Sequence, residues 1–272
     1  MLVSVITITF NSKKYLEHTI QSVLDQDYSD IEYIIVDGGS TDGTLDIIRK
    51  YETRIAKWIS EPDKGISDAW NKGIKMSSGE IIGLINSDDY YEPGALKAVA
   101  DIFRENPAVD IIHGNLRLWN AMENSFAIEK PPSEPEKTAW RKKLAWHPTV
   151  FVRRRAYEKF GLFDLSYRFA MDYELILRFI KSGAGLFYID RVLANMRTTG
   201  ITNRFYREND KEVRYICLKY GYNRLLVHGY YYWMALFPPI ERNCGKFIKQ
   251  LGLSFIITLY RKVFYPGVPK DY

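Results

Sequence analysis

The stretch "IEYIIVDGGSTDGTLDIIRKY", residues 31–51, decides the fold. Ile31 to Val36 is a near-continuous apolar run that ends in an acid and two glycines. Such a run suits a strand buried on both faces rather than the alternating strand of a half-exposed sheet. "DGGSTDG" is turn chemistry, and "STDGTLDIIRKY" reads as a short helix. Working outward, strands are read at "LVSVITITF" (2–10), "AKWISEP" (56–62), "EIIGLINSDD" (80–89) and "VDIIHGNLRLW" (109–119). Between them, "NSKKYLEHTIQSVLDQ" (11–26) carries a helical stripe of Tyr15, Leu16, Ile20, Val23 and Leu24. "GISDAWNKGIKMS" (65–77) and "PGALKAVADIFRENP" (93–107) are also read as helices. Strands that alternate with helices through short connections imply βαβ units. The fold class is therefore α/β, with a mostly parallel central sheet covered by helices on both faces. Ligands of such sheets sit outside the carboxyl ends of the strands, where the strand order switches.

Further along, residues 120–140 ("NAMENSFAIEKPPSEPEKTAW") are polar and proline-rich, as in an exposed excursion. Order resumes at "AWHPTVFVRRRAYEKFGLFD" (145–164). "MDYELILRFIKSGAG" (171–185) is an amphipathic helix with Leu175, Ile176, Phe179 and Ile180 inward, and "LFYID" (186–190) is a last short strand. From about residue 203 the chain turns helical, aromatic and basic.

With 46% hydrophobic and 26% charged residues, the composition is globular rather than disordered. A net charge of +5 is too mild to indicate nucleic acid, so no nucleic-acid partner is expected. Much of the excess lies in residues 241–272, which hold six basic residues against two acidic ones. Cys217 and Cys244 have neither metal-ligand nor CxxC spacing, which favours a reduced, cytosolic chain. The N-terminus lacks a basic region and a cleavage site, so it reads as a strand rather than a signal peptide. Of the longest apolar runs, 225–240 is broken by two prolines and 250–260 is too short for a bilayer. No transmembrane helix is expected.

Asp37 follows "YIIV", and the adjacent Asp88 and Asp89 follow "LINS". Each acid has a structural alternative as a turn former or helix cap. Together, at the ends of parallel strands, they face one crevice. No Walker-type glycine loop is present, and no GxGxxG follows the first strand. Ordinary NTP hydrolysis and dinucleotide redox chemistry are thereby disfavoured. Carboxylates repel phosphate unless a divalent cation lies between them, and Mg²⁺ or Mn²⁺ suits oxygen ligands. The adjacent acids make sense as a metal clamp on a diphosphate.

"TITFNS" (7–12), "IIVDGGSTDGT" (34–44), "SEPDKGISDAWNKGI" (60–74), "INSDD" (85–89) and "MDYELILR" (171–178) occur in one order. In that order they resemble the family 2 inverting glycosyltransferases with the GT-A fold. The "EPDKGISDAWNKG" variant is most similar to the bacterial branch that builds O-antigen and related surface polysaccharides. The resemblance covers about residues 1–200. It implies a GT-A (nucleotide-diphospho-sugar transferase) catalytic domain over 1–202, with a nucleotide-sugar half (about 1–115) and an acceptor half (about 116–202). Residues 203–272 would form a C-terminal helical, basic and aromatic extension. Thr7, Phe10 and Asn11 would line the nucleotide pocket. Asp37 would bind base or ribose above a turn of Gly38, Gly39 and Ser40. Asp63 and the 65–73 helix with Asn71 would close the far side. Where the family commonly has Asp-x-Asp, this chain has Asn86-Ser87-Asp88. Asn86 keeps an oxygen acceptor for a ribose hydroxyl beside Ser87, Asp88 becomes the ligand to Mn²⁺ or Mg²⁺, and Asp89 orients it.

Transfer with inversion is a displacement at the anomeric carbon, so it needs a stabilised leaving group and a base at the acceptor hydroxyl. Asp172 matches the family's catalytic acid position. From its residues alone it reads as the N-cap of a 173–182 helix. Many relatives place Glu before this Asp, where this chain has Met171. Trp146 and His147 are candidates for the acceptor site, with His147 equally readable as a structural histidine turned by Pro148. Arg178 reads by default as solvated, with Asp172 or the phosphates as alternative partners. "NMRTTGITN" (195–203) lies where relatives carry a flexible loop over the diphosphate, which makes Arg197 and Thr199 candidates there.

"GKFIKQLGLSFIITLYRKVFYPG" (245–267) is apolar with basic residues at both ends, as in a helix lying in a membrane interface. The alternative is a helix packed on the domain. The resemblance favours the membrane, because surface polysaccharides are assembled on polyprenyl diphosphate carriers. The expectation is an inverting transferase that moves a hexose from a nucleotide sugar, a UDP-sugar foremost, to a hydroxyl of a polyprenyl-diphosphate-linked saccharide. It would be cytoplasmic and peripheral on the inner face of the cytoplasmic membrane. The rival readings are a nucleotidyltransferase and a non-catalytic nucleotide-sugar or membrane-binding subunit. Oligomeric state is left open.

Overall fold

Two apolar runs become the centre of the sheet. β1 (Val3–Thr9) and β2 (Ile31–Asp37), joined through α1 (Leu16–Leu24), pair in parallel from Val3↔Ile31 to Thr9↔Asp37. Every residue of β1 and nearly every residue of β2 is buried, so the polar Ser4, Thr7 and Thr9 that interleave with the apolar residues of β1 are buried too. The structure is a computed structural model that describes residues 1–120, 125–132, 134–141, 144–197 and 205–233. The chain forms two units, Met1–Gly221 and Tyr222–Tyr272.

In the first unit, α2 (Thr44–Lys50), β3 (Lys57–Ser60), α3 (Ile66–Met76) and β4 (Ile81–Asn86) follow. The parallel order is β3-β2-β1-β4, so the chain steps outward from β1 and then returns to its other side. That reversal is the topological switch point. Helix α3 lies directly on β1: a Cβ on Gly73 would stand 2.3 Å from Ile6 Cγ2.

The remaining elements are β5 (Tyr90–Tyr91), α4 (Ala95–Glu105), β6 (Ile111–Asn120), β7 (Ser125–Glu129), α5 (Pro135–Thr138), β8 (Phe151–Arg153), α6 (Arg154–Phe160), α7 (Met171–Lys181), β9 (Leu186–Arg197) and α8 (Tyr206–Lys219). β8 is antiparallel to both β4 and β6 and so joins the parallel half to the second half. β6 and β9 are parallel, while β5 and β7 add antiparallel edges. One core, including Val5, Ile35, Ile85, Phe103, Leu116 and Phe151, runs through both halves.

The structure extends two of the sequence expectations. The strand expected at 186–190 continues to Arg197, because β6 and β5 pair with its second half, where Arg191, Asn195 and Arg197 break the apolar pattern. The polar excursion contains β7, an exposed strand held by β6.

Of the second unit, residues 224–233 are helical and leave Leu225, Leu226 and Tyr232 exposed. Among the described residues no helix is long and apolar enough to cross a membrane. Thr199, Cys244 and the basic segment 241–272 lie outside the described residues. Cys217, on α8, is a buried free thiol.

Candidate active site

At the switch point β1 exits through Phe10, Asn11 and Ser12, and β4 exits through Asn86, Ser87 and Asp88. The two exits are tied together, because Ser87 Oγ donates to Ser12 Oγ at 2.7 Å. Beneath them, the fully buried Thr19 of α1 directs its hydroxyl at the main-chain carbonyls of Ser87 (2.9 Å) and Asp89 (2.6 Å). Sequence reading missed Thr19. Its signal was a polar residue in phase with Leu16, Ile20 and Val23 on an otherwise apolar helix face.

The turn after β2 is built around Asp37, which is wholly buried. Its Oδ2 accepts from the N–H groups of Gly39 (3.0 Å) and Ser40 (2.9 Å) and from Ser60 Oγ (2.6 Å), and its Oδ1 accepts from Ser40 Oγ. Asn11 stands at φ 49°, and it joins this turn to β1. Its N–H donates to Ser40 Oγ at 2.8 Å, and its Oδ1 accepts from Thr41 N–H at 3.0 Å. Phe10 projects beside them, 62% exposed. A Cβ on Gly38 would come within 2.7 Å of Asp63 Oδ2 and 3.4 Å of the Phe10 ring, so glycine keeps a cleft open between them. Thr7 lies deeper, wholly buried, with its hydroxyl 3.0 Å from Tyr33 Oη. Asn71, on α3, is engaged twice by Phe163: its Nδ2 donates to the carbonyl and its Oδ1 accepts from the N–H, both at 2.9 Å.

The acid pair sits at the β4 exit. Asp89 is 2% exposed, and its carboxylate has only long contacts, to Asn86 Nδ2 and to Arg197 N–H, both at 3.4 Å. Burial pushes the Asp88 carboxyl above the usual range, with Arg197 opposing. Burial, and then the charge of Asp88, pushes Asp89 higher still. Arg197 Nε donates to the Asp88 carbonyl at 3.1 Å. Among the described residues no group of three or more His, Cys, Asp or Glu side chains is placed to hold a metal ion. Two adjacent carboxylates are oxygen donors of the kind a hard divalent cation takes alongside substrate and water.

A second cluster forms under α7. The helix begins at Met171 with Ala170 before it, so Asp172 lies inside the first turn and is not its N-cap. Asp172 Oδ1 accepts from Tyr173 N–H at 2.7 Å. The carboxylate lines a cavity with Leu84, His147, Tyr157, Phe163 and Ile176. His147 Nε2 is buried without a hydrogen-bond partner. Burial lowers the His147 pKa, and the charge of Asp172 opposes that shift. Its ring lies 5.3 Å from that of Trp70 on α3. Trp146 is half-buried against the core, and its carbonyl accepts from Thr149. Arg178 is neither solvated nor paired with Asp172. It pairs with the buried Glu174 at 3.1 Å and donates to the Phe160 and Leu162 carbonyls, fixing the chain that leads into α7.

A parallel β3-β2-β1-β4 core with acids at its switch point, extended through an antiparallel strand, defines a GT-A nucleotide-sugar transferase fold. Solved structures agree. The S. aureus TarS fragment 1–349 in complex with UDP-GlcNAc matches with TM-score 0.63 at 19% identity, covering 84% of this chain and 69% of that one. A mannosyltransferase from Pyrobaculum calidifontis, in complex with GDP-Man and Mn²⁺, matches with TM-score 0.64 at 18% identity, covering 87% and 70%. Residues 4–171 match the model of Glycosyl transferase family 2, and the chain belongs to that family. Bacillus subtilis TuaG, a glycosyltransferase named for teichuronic acid biosynthesis, is 30% identical over 201 residues, 72% of this chain and 79% of that protein. Other relatives are longer. The chain spans 36% of an uncharacterized glycosyltransferase from Nostoc and 41% of a longer TarS chain.

Proposed function

We propose that this chain is an inverting, metal-dependent hexosyltransferase acting from a nucleotide sugar, a UDP-sugar foremost. The acceptor is a hydroxyl of a polyprenyl-diphosphate-linked saccharide in bacterial surface polysaccharide synthesis. The observation that carries this reading is the acid pair at the switch point of a GT-A sheet, with Asp89 buried and Asp88 half-buried beside it. Relatives support the chemistry, since one is named for teichuronic acid biosynthesis and solved neighbours hold UDP-GlcNAc, or GDP-Man with Mn²⁺.

The donor set fits a hard divalent cation. The Asp89 carboxylate is buried with only long hydrogen bonds, the Asp88 carboxylate beside it is half-buried, and burial raises the pKa of both although Arg197 opposes the shift. Mn²⁺ or Mg²⁺ bound there would supply Lewis acidity to the departing diphosphate. The chain's own residues do the rest. Phe10 offers an exposed ring face to the base, with Asn11, Gly39 and Asp63 bordering the same cleft. Asn86 and Ser87 meet the ribose, while Thr7, Asp37 and Asn71 hold the pocket's walls from behind. Asp172 takes the proton of the acceptor hydroxyl as its oxygen attacks the anomeric carbon opposite the diphosphate. The bond from that carbon to the diphosphate breaks, and the configuration inverts. His147, with Nε2 unpartnered beside Asp172, orients the acceptor, and Trp146 shapes the wall next to it. Membrane attachment on the cytoplasmic face is part of this reading, and the exposed Leu225, Leu226 and Tyr232 offer apolar side chains to a membrane surface.

Donor hydrolysis tests this directly. Purified protein is incubated with UDP-glucose, UDP-galactose, UDP-GlcNAc, UDP-glucuronate and GDP-mannose, with Mn²⁺, Mg²⁺ or EDTA. Slow release of the nucleoside diphosphate from one donor, abolished by EDTA, is expected. Neither binding nor release with any donor and metal would overturn the reading.

A further inference from the structure

Helix α7 carries Asp172 in its first turn, yet its N-terminus has no cap from its own segment. A carboxylate arrives instead from α8. One oxygen of Glu212 accepts from Arg168 N–H at 2.9 Å, and the other accepts from Phe169 and Ala170 N–H, each at 2.8 Å. Three consecutive main-chain donors thus converge on one carboxylate, directly before Met171 and Asp172. Such bonds are charge-assisted, and the negative charge lies at the positive end of the α7 dipole. Other contacts seat α8 on α7. Tyr173 Oη lies 3.2 Å from Cys217 Sγ, and Oη of Tyr220, directly after α8, donates to the buried Glu174 at 2.6 Å. Those contacts fix the body of the helix. Among the described residues, Glu212 is the side chain that bonds the N–H groups of residues 168–170, where the first residues of α7 start. It also lies beyond residues 4–171, the segment matched by the family.

We propose that Glu212 is a positioning residue for Asp172, clamping residues 168–170 so that the carboxylate meets the acceptor hydroxyl at one fixed place. The proposal rests on Asp172 acting as the base. Full-length Glu212→Gln, which keeps one acceptor oxygen, and Glu212→Ala are compared with the parent. The first readout is hydrogen exchange at the amides of residues 168–170, which does not depend on any catalytic role. Exchange about tenfold faster in Glu212→Ala, and intermediate in Glu212→Gln, is expected for a lost charge-assisted hydrogen bond. The second is nucleotide release from the donor that the hydrolysis panel selects. A fall in kcat of about 10- to 100-fold is expected, with donor KM unchanged, because misplacement by about an ångström costs that much. Adding Asp172→Asn should bring no further loss from Glu212→Ala. Unchanged amide exchange, a loss confined to KM, or losses that multiply with Asp172→Asn would each overturn the proposal. If Asp172→Asn alone keeps full turnover, the base assignment fails and amide exchange by itself decides the clamp. If Glu212→Ala does not fold, Glu212→Gln carries both readouts.

Discussion

Arg197 Nε donates to the main-chain carbonyl of Asp88 at 3.1 Å, so the last residue of β9 is tied to the acid turn that follows β4. Its guanidinium also lies over the Tyr15 ring, 4.5 Å from the centroid. A fixed positive charge therefore stands beside the buried Asp89 and the half-buried Asp88, where it opposes a metal ion and attracts a diphosphate. The Arg197→Gln variant should bind Mn²⁺ alone a few-fold more tightly. It should bind UDP in the presence of Mn²⁺ about tenfold more weakly, the scale of one hydrogen bond to a charged group. Calorimetric titration of both ligands measures the two effects. Changes of the same sign would mean that Arg197 only supports the turn.

Thr19 makes a separate prediction. Its hydroxyl serves two buried carbonyls of the acid turn, and Thr19→Val keeps the shape while removing the donor. Leaving buried acceptors unsatisfied costs about 1–3 kcal/mol. Chemical denaturation should show a loss of that size, and Mn²⁺ affinity should fall with it because the turn is no longer pinned. Full stability with weakened metal binding would instead place Thr19 in direct contact with the ligand.

How much of this was legible depended on whether a signal was local. The parallel half was readable because β2 and β4 carry near-continuous apolar runs and β1 interleaves apolar residues with Ser and Thr, all local strand patterns. The second half of β9 was not, because Arg191, Asn195 and Arg197 interrupt its pattern and only pairing with β5 and β6 holds it extended. In the site, Asp88, Asp89, His147 and Asp172 stood out by residue type and order. Arg178 did not, because its buried partnership with Glu174 and two carbonyls is a product of packing. Glu212 gave no sequence signal at all. Its partners are main-chain N–H groups more than forty residues upstream, and main-chain donors leave no mark on residue type.

Stability should depend on pH through His113. It is 1% exposed on β6, its Nδ1 has no hydrogen-bond partner, and burial pushes its pKa down from 6.5 to about 4. Between those values the unfolded chain takes up a proton that the native chain refuses, so stability falls as pH drops from 6.5 to about 4. The contribution is about 3 kcal/mol at full extent. Burial displaces His18 and His147 in the same direction, so His113→Phe should flatten the profile of unfolding free energy against pH without levelling it. A variant whose profile matches the parent's would show that His113 protonates in the native state.

The central claim is that Asp88 and Asp89 hold a divalent cation for a nucleoside diphosphate, and UDP binding measures it most directly. Isothermal titration of UDP would be run on the parent chain with Mn²⁺, on the parent with EDTA, and on Asp88→Asn with Mn²⁺. Binding with Mn²⁺ that weakens by about a hundredfold in both other cases is expected, as for loss of a charged contact in a buried site. Equal UDP affinity in all three titrations would contradict the account, because the acid pair would then have no part in holding the diphosphate.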